Sequence, residues 1–272
     1  PDPGLIAARR LSVREYEYAI LDLKGMQINA DSLFPKDAGG GEGFDNFAGT
    51  LYITPLLMER YFEVAESVIE ALARQEDEWR TLVPANRFSW VQKIRHWWSR
   101  WWQDRDPAYE AMLAHAKEAI FPFATLAYRR YLSPEERNKL LAFFEEVYAG
   151  LPEDVDRYEE SVQEVFKAVL VSPHFLMRQE NDPPLEDPYQ ITDFELASRL
   201  SFFLWSSIPD FELLESAYRD DLHRPAVLRH QVRRMLKSPK VKRMAESFVT
   251  QWLEIERLND PTFKVDQELF PE

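Results

Sequence analysis

The feature that most constrains the fold is a short pattern that occurs three times along the chain. In residues 11–15, 132–136 and 191–195, an aliphatic residue precedes Ser or Thr, and Glu follows three positions after the hydroxyl. This is the capping box: the hydroxyl accepts a hydrogen bond from a first-turn N–H, and the Glu carboxylate accepts one from the N–H of the cap residue. The pattern predicts helices that begin after Ser12, Ser133 and Thr192.

Other signals extend this helical prediction to most of the chain. Eight Gly against eighteen Pro favour helices bounded by Pro over a sheet with many tight turns. Gly25 is placed to end the first helix, and Thr54 followed by Pro55 predicts the start of the second. We expect Pro122 to interrupt or kink a helix that starts near residue 107. The prediction is an all-α, orthogonal or bundle-like array of about ten helices, with little or no sheet.

The predicted organisation has four parts. Residues 1–73 form an N-terminal helical module with a glycine-rich loop, and residues 74–106 a Trp-rich amphipathic insertion. Residues 107–180 form a central helical module, and residues 181–272 a C-terminal one. The chain begins at Pro1 without an initiator Met, so we expect it to be a processed or excised piece.

Composition excludes several classes of function. The 272-residue chain has a net charge of −14, which argues against a general nucleic-acid binder. The absence of Cys removes disulfides, thiolate metal sites, Cys nucleophiles and covalent haem attachment. No apolar run approaches the ~20 residues that a transmembrane helix needs.

The Trp-rich insertion is the strongest candidate for an interaction surface. It holds six of the eight Trp, and residues 87–105 carry five Lys or Arg against one Asp. Apolar and basic positions fall on opposite faces of a predicted helix. Packing against the core or a protein partner is favoured, with a membrane surface and stacking on carbohydrate as alternatives. The candidate residues for binding a partner or a membrane are Trp90, Trp97, Trp98, Trp101, Trp102, Arg95 and Arg100.

Two weaker patterns suggest metal sites. The glycine-rich loop offers Asp37, Glu42, Asp45 and Asn46 as oxygen ligands for Ca²⁺, although its spacing is not that of an EF-hand. The favoured alternative is that Asp45 and Asn46 cap nearby backbone.

Histidine gives the second pattern. Asp220 and His223, or His223 and His230, are weak candidates for a metal pair, and His174 for an axial haem ligand. The chain contains no Glu-x-x-His sequence, which argues against a ferritin-type di-iron bundle. Residues 224–243 hold eight Lys or Arg and no acid, a stretch expected to neutralise acidic helices of the same chain in preference to docking an acidic partner.

Three longer strings resemble consecutive modules of one known family. The first is Arg9-Arg10-Leu11-Ser12-x-x-Glu15-Tyr16, followed by Gly43-Phe44-Asp45-Asn46. The second joins Ala127-Tyr128-Arg129-Arg130 to Val171-Ser172-Pro173-His174-Phe175-Leu176. The third is Glu195-Leu196-Ala197-Ser198-Arg199-Leu200-Ser201-Phe202-Phe203-Leu204-Trp205. Together they look like the consecutive domains of unknown function in large exported proteins of planctomycetes and related bacteria, which often carry a cytochrome c-like domain.

The resemblance implies export to the periplasm or cell surface, with haem on a partner or another domain and no cofactor in this chain. We therefore expect a non-catalytic scaffold or binding subunit of an exported assembly, associated with a c-type cytochrome or other protein partner through the Trp-rich helix. Two alternatives stay open: a redox or metal-dependent enzyme domain acting on an extracellular polymer, and a peripheral membrane protein.

Charged residues recur near the predicted helix ends. Beyond the sets above, His174, Arg178, Glu180 and Arg199 are candidate site residues. Buried Arg–carboxylate clamps between helices are the favoured interpretation of the recurring charges. The expected participants are Arg9, Arg10, Glu15, Arg129, Arg130, Arg178, Glu180 and Arg199.

Overall fold

The protein is all-α, as predicted. The computed structural model describes residues 8–25, 28, 33–35, 51–83, 107–178, 180, 189–253 and 255. Within these residues the chain forms eleven helices and one pair of two-residue strands. In chain order the elements are β1 (Arg9–Arg10), α1 (Val13–Lys24), α2 (Pro55–Ala73), α3 (Glu76–Leu82), α4 (Pro107–Tyr128), α5 (Pro134–Gly150), α6 (Arg157–Val171), α7 (Pro173–Leu176), β2 (Met177–Arg178), α8 (Asp193–Trp205), α9 (Phe211–Tyr218), α10 (Pro225–Lys237) and α11 (Val241–Trp252).

All three predicted capping boxes are present. The N–H of the third helical residue lies 3.2 Å from the hydroxyl of Ser12, Ser133 or Thr192. The Glu carboxylate of each box accepts from the cap residue's N–H at 2.7–2.9 Å. Gly25 ends α1 with φ of 71°, a conformation that Gly adopts without a steric penalty. Thr54 caps α2 as expected.

Pro122 does not interrupt its helix, so the expected interruption was wrong. It lies inside α4, which runs unbroken from Pro107 to Tyr128. The Pro122 side chain is exposed, while the next residue, Phe123, stacks on Phe166 of α6 with ring centroids 4.0 Å apart. Tertiary packing on both sides of Pro122 offsets its local helix penalty.

Helix α6 forms the centre of the larger core. It packs against α2, α4 and α5, and its buried face carries Val162, Val165, Phe166 and Val169. The smaller core lies among α8, α9 and α10, around Trp205. Helix α8 serves both cores, because Phe202 faces the larger one and Trp205 the smaller one.

The two short strands join distant parts of the chain. Arg9 pairs with Arg178 and Arg10 with Met177 in antiparallel register. The pairing continues as Leu11 N–H donates to Leu176 O at 2.8 Å. This connection places the start of α1 beside α7. None of the described helices is both long enough and apolar enough to span a bilayer.

Candidate functional site

A groove of about 520 Å³ opens where the C-terminal end of α4, the α7–β2 corner and the first turns of α8 meet. Its ionisable lining residues include Arg129, Arg130, His174 and Arg178, with Glu180 and Glu195 also present. Tyr128, Met177 and Phe194 supply apolar surface. The volume falls in the range of small-molecule sites.

The structure brings together four residues that the sequence offered as separate candidates. His174, Arg178 and Glu180 line the groove, and Arg199 of α8 forms a bidentate ion pair with Glu180. One of the two contacts joins Arg199 Nε to Glu180 Oε1 at 2.8 Å. This pair connects the central segment of the chain to α8.

The Glu of the first capping box has a second role. Arg9 donates to both oxygens of Glu15, at 2.7 and 2.8 Å. Burial opposes the ionisation of Glu15, but the hydrogen bonds and charge of Arg9, with the charge of Arg178, outweigh it and hold the pKa below its usual value. Glu15 is therefore a buried carboxylate already committed to Arg9 and to the cap.

The second capping box repeats this geometry. Arg130 donates to both oxygens of Glu136 at 2.8 and 2.7 Å, and its hydrogen bonds lower the pKa of Glu136 to about 2. In each case Arg stands six residues before Glu, in the pattern Arg-x-Leu-Ser-x-x-Glu. The predicted clamps of Arg9 and Arg130 are thus local units built on the helix caps.

His174 extends the second clamp. Its Nε2 lies 3.4 Å from Glu136 Oε1, and its Nδ1 lies 3.5 Å from Arg130 Nη2. Burial and the charge of Arg130 lower the pKa of His174. The lowered pKa favours the neutral imidazole.

Arg129 does not form the carboxylate clamp that was predicted for it. Its guanidinium donates to the backbone carbonyls of His174, Phe175 and Met177 at 2.8–3.0 Å, and to Ala127 O at 3.2 Å. Burial and the nearby charge of Arg178 lower its pKa to about 9, so it stays charged at neutral pH. Arg129 satisfies carbonyl groups that the end of the short helix α7 leaves without partners.

Arg178 differs from the other groove arginines in having no strong partner among the described residues. Its nearest acid is Glu15, with 3.6 Å between Arg178 Nη1 and Glu15 Oε1. Its guanidinium lies over the ring of Phe202, 4.7 Å from the centroid. Burial and the charge of Arg9 lower the pKa of Arg178 to about 10.

Several predicted sites fall outside the described residues. These are the Trp-rich set with Arg95 and Arg100, and the Ca²⁺ candidates Asp37, Glu42, Asp45 and Asn46.

The two candidate metal pairs that contain His223 differ in the structure. Asp220 and His223 do come together, with Asp193 as a third potential ligand, all within 4.8 Å of one another. Asp193 Oδ1 lies 3.1 Å from His223 Nδ1, and Asp193 Oδ2 accepts from the N–H of Leu222. His230 is not in this group.

Three residues of the basic stretch 224–243 form ion pairs with acids elsewhere in the chain. Arg243 and Lys240 both contact Asp22, at 2.8 and 3.0 Å, and Arg234 pairs with Asp210. Sequence reasoning missed Asp22 because nothing local links it to a residue more than 200 positions away.

Comparison with known families finds three matches in succession. Residues 9–74 match PSD3, a protein of unknown function (DUF1587), residues 115–180 match PSD5 (DUF1595), and residues 191–272 match PSD4 (DUF1592). Residues 75–114, which contain most of the predicted insertion, lie outside these matches. No curated protein and no solved structure matches the chain.

Proposed function

We propose that the chain, a series of three consecutive domains of unknown function, is a non-catalytic helical scaffold that binds a protein partner in an exported assembly. The observation that carries the proposal is that its recurring charged residues link the three matched segments to one another. Charged residues that form such links hold the three segments together as one rigid body, which is what a scaffold requires.

Each pair of matched segments has its own connection. Arg9 and Arg178 join the first to the second through the backbone pairing of β1 with β2, and the Arg199–Glu180 ion pair joins the second to the third. Asp22 and Arg243 join the first to the third. Because the donors and acceptors are mostly engaged with one another, the proposal assigns them to assembly of the scaffold and not to turnover.

An exposed aromatic surface supports the binding role. Phe203 is 68% exposed and Trp252 is 65% exposed, and Trp252 stacks against Phe248. Phe203 and Phe248 both line a second groove of about 290 Å³ between α8, α11 and the start of α1. Contiguous exposed apolar side chains of this kind are typical of surfaces that contact other molecules.

The Trp-rich insertion is proposed as the main docking element. Helix α3 lies within the insertion and is fixed to the core by Trp79, which is buried against Phe166. Location in the periplasm or on the cell surface, and a c-type cytochrome as the partner, rest on the family resemblance and belong to this proposal.

The test replaces residues 87–105 with a Gly/Ser linker of equal length. Complexes isolated from the source organism are compared by native mass spectrometry, and the partner is then purified and recombined with each form. We expect a stoichiometric complex with the natural chain and none with the replacement, while both forms give the same helical circular dichroism. A matched control, Phe62→Ser on the exposed face of α2, should leave the complex intact.

Two results would contradict the scaffold. An unchanged complex after replacement would remove the docking role of the insertion. A stoichiometric metal or a visible chromophore in the purified chain would support the redox-enzyme alternative, and flotation of the chain with anionic liposomes would support the membrane alternative.

A further inference from the structure

We infer that the groove beside α7 is a binding site for the carboxylate group of an organic ligand, with Arg178 as its principal donor. This site goes beyond the scaffold function and does not depend on it.

The guanidinium of Arg178 has unused hydrogen-bond donors. A guanidinium offers five N–H donors in a planar fork. The Arg178 guanidinium makes no hydrogen bond to the described residues, and its one ion-pair contact with them, to Glu15, is 3.6 Å long. Its side chain is 19% exposed and lines the groove, so these donors are available to a molecule that enters it. A buried cation with unused donors is costly unless a ligand satisfies it.

The neighbouring charges also leave Arg178 uncompensated. Glu15 is already bound by both terminal nitrogens of Arg9 and by the N–H of Ser12. Arg129 adds another buried positive charge and is bonded only to carbonyl groups. Glu180 also acts on Arg178 electrostatically, but it is bound by Arg199. Both carboxylates are therefore engaged by other guanidinium groups, and an incoming anion would compensate the charge of Arg178.

The groove lining favours a carboxylate over other anions. A carboxylate matches the fork of one guanidinium with two parallel hydrogen bonds. Glu180 and Glu195 also line the groove, and their charge disfavours a dianion such as phosphate. Tyr128, Met177 and Phe194 offer apolar surface for the body of an organic acid. These features together favour a monoanionic carboxylate with an apolar or aromatic substituent.

The arrangement also explains the position of Phe202. Its ring lies against Arg178 at 4.7 Å and against Arg129 at 5.7 Å. Cation–π contact holds the two guanidinium groups in place without using their N–H donors. Arg178 is thereby oriented for a ligand before one binds.

The experiment titrates the whole chain with benzoate, benzamide and inorganic phosphate by calorimetry, and follows thermal unfolding in parallel. We expect saturable binding of benzoate, no binding of uncharged benzamide, and weaker binding of phosphate. Arg178→Gln should raise the benzoate Kd by about ten-fold or more, and Arg178→Lys by less, because Lys keeps the charge and loses the fork. The control Arg219→Gln, at an exposed ion pair on α9, should not change the Kd.

A second variant keeps the test decisive if Arg178→Gln does not fold. Ser198→Glu introduces a carboxylate into the groove lining and should abolish benzoate binding. The inference is overturned if benzoate does not bind the natural chain, if both groove variants bind it unchanged, or if only phosphate binds.

Discussion

At the scale of single residues, the arginines around the groove fall into three kinds. Arg9 and Arg130 hold the Glu of a capping box, and Arg129 holds backbone carbonyl groups. Arg178 is held mainly by the ring of Phe202. Arg side chains in this chain thus have three roles: local helix capping, loop closure and, by our inference, ligand recognition. The role depends on which groups the backbone brings near each guanidinium.

Arg129 should be a major contributor to stability. Its four hydrogen bonds to backbone carbonyls require the planar guanidinium group with its five N–H donors. The ammonium group of Lys has only three donors. We expect Arg129→Lys to lower the free energy of unfolding by roughly 2–4 kcal/mol in urea titrations. Arg137→Lys on exposed α5 is the control, expected within about 0.5 kcal/mol of the natural chain. Equal losses for the two variants would contradict the role of Arg129.

The clamp of Glu136 predicts a pH dependence. Its pKa is about 2 in the folded chain against a usual 4.5, so the clamp stabilises the fold fully above about pH 4.5. That contribution is lost as the pH falls toward 2, because the unfolded chain takes up the proton first. Urea midpoints measured from pH 6 to pH 3 should therefore fall less steeply in Glu136→Gln than in the natural chain. Parallel curves would show that Glu136 is not clamped.

The sequence allowed the clamps to be anticipated as a class, but not their partners. The Arg-x-Leu-Ser-x-x-Glu pattern occurs twice and carries the signal for two of them, since a helix cap fixes the short distance between Arg and Glu. The third capping box has Tyr189 where Arg would stand, and its nearby Arg199 binds Glu180 instead. Arg129 was misassigned because backbone carbonyl partners leave no mark in a sequence.

At the scale of elements, local chemistry determined most of the helix starts. Ser12, Ser133, Thr192 and Thr54 each cap the helix that was predicted from them. Pro122 shows the limit of such reasoning, since burial of the residues around it outweighs a local penalty. The pair of two-residue strands had no sequence signal, because it is too short for a period-two pattern.

The cap of α5 gives a direct test at this scale. Ser133→Ala removes the acceptor for the N–H of Glu136, and we expect a loss of about 1 kcal/mol in the free energy of unfolding. Thr81→Ala, at an exposed position in the last turn of α3, is the control and should change stability by less than about 0.5 kcal/mol. If Ser133→Ala left the free energy of unfolding unchanged, water would be replacing the hydrogen bond of the cap without cost.

At the scale of the whole molecule, the decisive contacts join residues far apart in sequence. Asp22 of α1 meets Arg243 and Lys240 near α11, and Ser207 donates to Tyr18 O at 2.9 Å. Hydrophobic periodicity and capping patterns in a sequence describe single helices and do not indicate which helices pack together. The convergence of the groove residues could therefore be read only from the structure, although His174, Arg178 and Glu180 had been singled out beforehand.

The Asp22 junction should couple the last helix to the first. Asp22→Asn leaves two cations without their carboxylate, and we expect a loss of roughly 2–3 kcal/mol, below the full cost of a buried pair because Lys240 is partly exposed. Hydrogen exchange followed by mass spectrometry should show faster exchange in α11 and little change in α6. Glu63→Gln, at an exposed pair on α2, is the control. Uniformly faster exchange across the chain would contradict a localised junction.

The account as a whole depends on a distinction between arginines that hold the molecule together and one that is open to a ligand. Arginine side-chain NMR measures this directly, by following each Nε–H during a benzoate titration. We predict a saturable shift of the Arg178 signal, with the signals of Arg9, Arg130 and Arg199 nearly unchanged because their carboxylate partners are already bound. A stationary Arg178 signal, or equal shifts of all four, would contradict the account.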